Sequence, residues 1–255
     1  MYKETPILLA CDLDNTLMHS YKHYRPGDVC VEWKEDREQG YMTERTVDLL
    51  RQLPDTVRLV PVTSRSLAQY RRIRWPEGLE PELALAANGG LLLRNGALDP
   101  DWQRETLRET APLLPAFRRL LGLFDNEAAY QPRIVDDVYF YVRAKNGWNR
   151  MTKGTYGWRT SPLGVFVNGH KLYLFPTPAD KGVGLERLRR LLSPGFVISA
   201  GDSAIDRPML AKADLALVPG QAMAEGLDGE RTRVCPTGEP FAEFVLEQVL
   251  AAVRI

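Results

Sequence analysis

The 255-residue chain has no apolar run near the ~20 residues needed to cross a bilayer, so a membrane-spanning role is not expected. It has no charge excess either: Lys+Arg and Asp+Glu both number 33, which removes the global basic footprint of a nucleic-acid or lipid-surface binder. Cysteine is scarce. Cys11, Cys30 and Cys235 are an odd set whose spacing matches no zinc pattern. Two of them, Cys11 and Cys235, fall in apolar runs and are expected as buried free thiols, which fits a reducing cytoplasm. Met1–Pro6 shows no basic region followed by an apolar segment, so no secretory signal is visible there. Acidic residues are missing from one stretch: the 42 residues between Asp137 and Asp180 contain none, where the chain average gives about five. The same stretch carries Arg143, Lys145, Arg150, Lys153, Arg159 and Lys171, with Trp148, Tyr156 and Trp158 among them.

What is present is an alternation of apolar runs and helical patterns. Strands are predicted at 7–11, 57–62, 83–87, 196–200, 214–218 and 233–235, and helices at 44–53, 67–74, 183–192, 205–212 and 240–253. Short links between them predict an α/β fold, a Rossmann-like doubly wound parallel sheet. The alternation breaks twice. Val29–Trp33 and Tyr41–Thr43 read as a β-hairpin close to the first strand. From 91 to 177 the pattern is α+β: a strand at Leu91–Leu93, a helix near Trp102–Leu121, a long strand at Ile134–Ala144, and a hairpin turning at Asn168-Gly169. The expected organisation is a discontinuous core, 1–90 plus 178–255, with an inserted cap domain over 91–177.

Four segments with reactive side chains fall at the ends of predicted strands, where open α/β sheets bind ligands. Asp12-Leu13-Asp14-Asn15-Thr16 follows Ile7–Cys11 directly. Two carboxylates at a strand exit cannot both be buried without a cation, because an unpaired buried carboxylate costs several kcal/mol or more; the pair therefore points to a divalent metal, to chemistry, or to both. Val62-Thr63-Ser64-Arg65 ends a second strand with hydroxyls and a cation. Lys181 opens a helix after the insertion, and Gly201-Asp202-Ser203-Ala204-Ile205-Asp206 closes another strand with two more acids.

These four segments, in this order, resemble those of the haloacid dehalogenase superfamily of phosphohydrolases. The cap between the second and third segments, entered through Ala87-Asn88-Gly89-Gly90, resembles the branch of Cof-type, sucrose-phosphate and mannosyl-3-phosphoglycerate phosphatases. The resemblance implies catalytic roles for Asp12, Asp14, Thr63 and Lys181. Asp12 would be the nucleophile, forming an aspartyl phosphate. Asp14 would protonate the leaving oxygen and then deprotonate water. Thr63 and Lys181 would hold the phosphoryl oxygens. It also implies Mg²⁺, held by Asp12, the backbone carbonyl of Asp14, and Asp202, with Asp206 bracing Lys181 or the metal's surroundings. Arg65 and Asn88 are candidate substrate contacts, and so are Lys145 and Lys153 of the acid-free stretch, if that stretch is the positive inner face of a closing lid.

One position departs from the pattern. Ile205 stands where relatives often carry Asn beside the last Asp, so Ile205→Asn is expected to be tolerated or to raise activity. The expected function is a Mg²⁺-dependent phosphomonoesterase for a small anionic phosphorylated metabolite, with no nucleic-acid or membrane partner. Asp14 argues against a dehalogenase, which has no leaving alkoxide to protonate. A phosphomutase and a non-catalytic metabolite-binding regulator stay open as alternatives. Nothing in the sequence sets the oligomeric state.

Overall fold

The computed structural model describes residues 6–124, 128–147, 156–160 and 163–253, the strand Tyr156–Thr160 as backbone only. Its centre is a five-stranded parallel sheet in the order Thr232–Val234, Leu215–Val218, Phe196–Ala200, Ile7–Cys11, Val57–Pro61. Ile7–Cys11 shows why this sheet has helices on both faces. Leu9 and Cys11 point into one apolar layer with Val47 and Leu50 of the helix Glu44–Arg51 and Val245 and Val249 of Phe241–Val253. Leu8 and Ala10 point the other way, onto Leu185 and Leu188 of the helix Lys181–Leu192. A strand buried on both sides reads as a continuous apolar run, not as an alternation. The chain leaves Ile7–Cys11 for Val57–Pro61 on one side and later returns to Phe196–Ala200 on the other. The strand order therefore reverses beside the first strand, and a crevice opens at its carboxyl end.

The hairpin after the first strand is Val29–Lys34 paired with Arg37–Met42, turning at Glu35-Asp36 with φ of +49° and +60°. It also shortens a neighbour. The helix expected over 67–74 is a single turn, Leu67–Tyr70, because Ile73 pairs with Glu32 and the Arg74 N–H donates to the Val31 carbonyl. The helix expected over 205–212 is likewise short, Arg207–Leu210.

Leu91–Arg94, assigned to the cap by the sequence pattern, pairs antiparallel with Leu83–Ala86, so the expected boundary at residue 90 falls inside a small three-stranded sheet. The helix expected near 102–121 is two helices, Pro100–Thr110 and Leu114–Phe124, separated by a 3₁₀ turn at Ala111–Leu113 that contains Pro112. The first of these packs on the core, where the Arg187 guanidinium lies 3.7 Å over the Trp102 ring and donates to Thr106 Oγ1. The long strand expected over 134–144 is a hairpin, Tyr130–Val135 and Tyr139–Ala144, because Asp136 and Asp137 take φ of +49° and +56°. The second cap hairpin turns one residue later than expected, at Gly169-His170, with Asn168 opposite Lys171. The strands of the two hairpins, the second made of Leu163–Asn168 and Lys171–Pro176, form with Tyr156–Thr160 a five-stranded antiparallel sheet that has the helix Leu114–Phe124 on one face: Phe117 buries against Phe140 and Val142. The other face looks toward the core. Among the described residues no helix is long and apolar enough to cross a membrane, and all three cysteines are free.

Candidate active site

Asp12 is the first residue beyond the central strand. Its N–H donates to the Ala200 carbonyl across the crevice, and its side chain is buried. A tight turn follows: Asn15 takes φ +59°, and its N–H donates to the Met18 carbonyl. The helix Lys181–Leu192 begins opposite, capped by Asp180, whose carboxylate accepts from the N–H groups of Gly182 and Val183. Two glycines let the elements close on one another. A Cβ at Gly182 would lie 2.4 Å from the Pro208 carbonyl oxygen, and one at Gly201 would lie 2.4 Å from Asp206 Cβ. Without side chains there, Lys181 reaches the crevice fully buried, 1% exposed, and donates to Asp12 Oδ1 and Asp206 Oδ1, both at 2.5 Å. Asp206 is held from its other oxygen by the N–H and hydroxyl of Ser203. Asn15 Nδ2 reaches Asp202 at 3.4 Å.

Carboxylate oxygens of Asp12, Asp202 and Asp206 lie within 4.8 Å of one another. Burial raises the Asp12 carboxyl well above its ordinary range; Lys181 opposes this, while Asp206, Asp202 and Asp14 add to it. Burial, with Asp206 nearby, pushes Asp202 up to about 6. Burial alone would lower Lys181, but attraction to Asp12 and Asp206 outweighs it and holds the ammonium above its usual value. One ammonium thus faces three carboxylates, a deficit of positive charge amid hard oxygen donors. That chemistry suits Mg²⁺. Both Asp206 oxygens are already engaged, whereas Asp12 keeps Oδ2 and Asp202 has only the long contact from Asn15, so Asp12 and Asp202 have oxygens to offer a metal.

Asp14 points elsewhere. Arg65 grips it with two hydrogen bonds, Nε to Oδ2 at 2.8 Å and Nη2 to Oδ1 at 2.6 Å. Burial pushes the Asp14 carboxyl up, but the Arg65 bonds and charge prevail and leave it below its usual value. Glu32, buried on the hairpin, accepts from Arg65 Nη2 at 2.9 Å and from Arg72 at 2.8 Å, so Asp14, Arg65, Glu32 and Arg72 form one chain of charges. Thr63 is fully buried at the end of its strand, where its Oγ1 accepts the Arg65 N–H. Asn88, a candidate substrate contact, is buried in a left-handed conformation and donates through Nδ2 to the Ala179 carbonyl. Its backbone N–H donates to the Thr63 carbonyl, so Asn88 ties the second strand loop to the residues before Lys181. Ile205 is buried in the apolar layer that holds Cys11, Ala200 and Leu217, an environment that argues against the expected tolerance of an amide there.

Of the cap candidates, Lys145 is exposed and does not line the crevice, and Lys153 lies outside the described residues. A cleft of about 400 Å³ between core and cap is lined by Asp14, Arg65 and Arg72 on one side and by Tyr141, Lys171 and Tyr173 on the other. Sequence reasoning did not pick out Glu32 or Arg72, and it named Lys171 only among the cations of the acid-free stretch. Glu32 turns inward at a bulge in its strand, where alternation no longer reports the face. Lys171 is one of six cations in the acid-free stretch, and only the hairpin register separates it from the others.

No protein-family model matches the chain, and no curated protein matches it in sequence. Solved structures do match in fold. A sucrose-phosphatase from Synechocystis, in complex with sucrose and phosphate, superposes with a TM-score of 0.61 at 16% identity, over 99% of this chain and 98% of that one. A phosphatase of the haloalkanoate enzyme superfamily from Bacteroides thetaiotaomicron gives 0.54 at 13%, over 98% and 96%. A haloacid dehalogenase-like hydrolase from B. subtilis gives 0.55 at 17%, over 93% and 98%. The likeness spans core and cap together, and the fold is that of the capped haloacid dehalogenase-like hydrolases.

Proposed function

We propose that this chain is a Mg²⁺-dependent phosphomonoesterase that acts on a small, anionic phosphorylated metabolite through an aspartyl-phosphate intermediate. The observation that carries this reading is the buried Lys181 bridging Asp12 and Asp206, with Asp202 beside them, at the reversal point of a sheet shared with phosphatases. Lys181 holds the Asp12 carboxylate and so fixes its orientation for attack on phosphorus. The new P–O bond forms as the bond to the leaving oxygen breaks. Thr63 Oγ1 accepts from Arg65, so its own hydrogen is free for a phosphoryl oxygen, and the Lys181 ammonium supplies charge to the same group. Mg²⁺ bound at Asp12 and Asp202 would offset the repulsion between carboxylate and phosphoryl charges.

Asp14 handles the proton. Held by Arg65 it is ionised, the form that takes a proton from water when the aspartyl phosphate is hydrolysed. To protonate the leaving oxygen in the first half, Asp14 must leave the Arg65 contact, where its affinity for a proton is lowered, take up a proton from solvent and pass that proton to the leaving oxygen. The test is phosphate release from p-nitrophenyl phosphate and from a panel of phosphorylated sugars and sugar acids. Turnover is expected to require Mg²⁺, to vanish in Asp12→Asn, and to yield inorganic phosphate. Near-full activity in EDTA-treated protein or in a folded Asp12→Asn variant would overturn the mechanism.

A further inference from the structure

The cap sheet has two unlike faces. Phe140, Val142, Leu172 and Leu174 pack under the helix Leu114–Phe124, so the alternate residues Tyr141, Arg143, Lys171 and Tyr173 face the other way, with Lys171 opposite Arg143 and Tyr173 opposite Tyr141. The Lys171 Nζ stands 5.0 Å from the centre of the Tyr141 ring and 5.9 Å from that of Tyr173. Two aromatic faces steer an ammonium without neutralising it. Among the described residues no carboxylate pairs with Lys171, and Arg133 and Arg143 beside it are also without an ion pair. Burial and those neighbouring arginines lower its pKa, against the pull of Asp14.

The facing wall has charge to spare as well. Glu32 and Asp14 are shared between Arg65 and Arg72, yet Arg65 Nη1 and Arg72 Nε are buried without a hydrogen-bond partner. The cleft between the walls thus joins three cations with two carboxylates, both already engaged, and leaves one positive charge uncompensated. A half-buried cation kept without a counter-ion is costly unless a ligand supplies one.

We propose that Lys171, with Arg65 and Arg72 across the cleft, forms a subsite for a second anionic group, a carboxylate or a phosphate, on the leaving-group side of the substrate. The site rests on the phosphatase reading and names the substrate class within it: a phosphorylated, hydroxylated compound with a further negative charge. Tyrosines, Asn168 and Gln69 line the rest of the cleft, residue types that suit a hydroxylated body. Glu32 is a positioning residue that fixes the two guanidinium groups from behind.

The experiment compares kcat/KM for 6-phosphogluconate (a carboxylate arm), fructose 1,6-bisphosphate (a phosphate arm) and glucose 6-phosphate (no second anion). The wild type is expected to favour one anionic substrate over glucose 6-phosphate by at least about tenfold, as expected for a partly desolvated charge pair. Lys171→Met should cut that ratio about tenfold through KM, while Lys171→Arg should retain most of it. Glu32→Gln should lower the ratio as well. Hydrolysis of p-nitrophenyl phosphate with no preference among the three would overturn the subsite and leave the phosphatase intact. If no substrate turns over, calorimetric binding of the same compounds to the wild-type chain decides: tighter binding of an anionic compound, lost in Lys171→Met, supports the subsite, and equal or absent binding overturns it.

Discussion

Asp14 and Ile205 sit in the same crevice region and obey opposite rules. Asp14 is half exposed and shares its carboxylate with a guanidinium, so it can be neutralised without a packing cost. Asp14→Asn is expected to lower kcat by about 10²–10⁴-fold, since both proton transfers of the proposed mechanism run through it. A kcat within a few-fold of wild type would remove Asp14 from the mechanism. Ile205 is 4% exposed in an apolar layer. Ile205→Asn would bury an amide without partners, at a cost of about 2 kcal/mol or more, so thermal melting should fall clearly. An unchanged melting temperature would mean that the amide finds hydrogen bonds in that layer.

Among the elements, the helix Pro100–Thr110 fastens residues beyond Leu91–Arg94 to the core, and its start depends on Asp99. The Asp99 carboxylate accepts from Arg94 Nε at 2.7 Å and from the N–H groups of Trp102 and Asp101. The Arg94 bond, then the Trp102 N–H, hold its pKa below the usual value. A carboxyl lowered on folding adds stability that is present above its unfolded pKa, near 4, and is lost as pH falls through the lower folded value. Asp99→Ala should therefore cost about 1 kcal/mol at neutral pH, and the difference from wild type should shrink below about pH 4. Chemical denaturation at pH 7 and pH 3 checks this. A constant difference at both would show that the cap acts by shape alone.

For the whole molecule, the crevice joins segments near residues 12, 181, 202 and 206, which come together only when the parallel sheet is complete. A cation bound there binds the folded chain and not the unfolded one, so it must stabilise the fold by mass action, about 2.7 kcal/mol at a hundred times Kd. Mg²⁺ added to chelator-stripped protein is expected to raise Tm, and Asp202→Asn to weaken that rise. A Tm indifferent to Mg²⁺ in the wild type would remove the metal from this site.

The apolar run Ile7–Cys11 followed by Asp12 indicated, with three other strand-end motifs, the parallel sheet and the side chains at its strand ends, because a doubly buried strand and its exit loop leave a local pattern, whereas Leu83–Ala86, expected in that sheet, joins a separate antiparallel one. The cap hairpin was harder to read: Asp136-Asp137 interrupts a run that otherwise looks like one strand. The charge chain through Glu32 and Arg72 was not legible, since a bulge turned Glu32 inward and its partners lie some 30 to 40 residues away. Lys171 differs from Lys145 in the sequence only by position, and the antiparallel register alone put one over two tyrosine rings in the cleft and left the other exposed. Sequence by itself thus determined which side chains end the strands, because strand and helix periodicity are local. Tertiary structure decided which cations meet which carboxylates, because charge pairing depends on distances that only the packed sheets and their registers set.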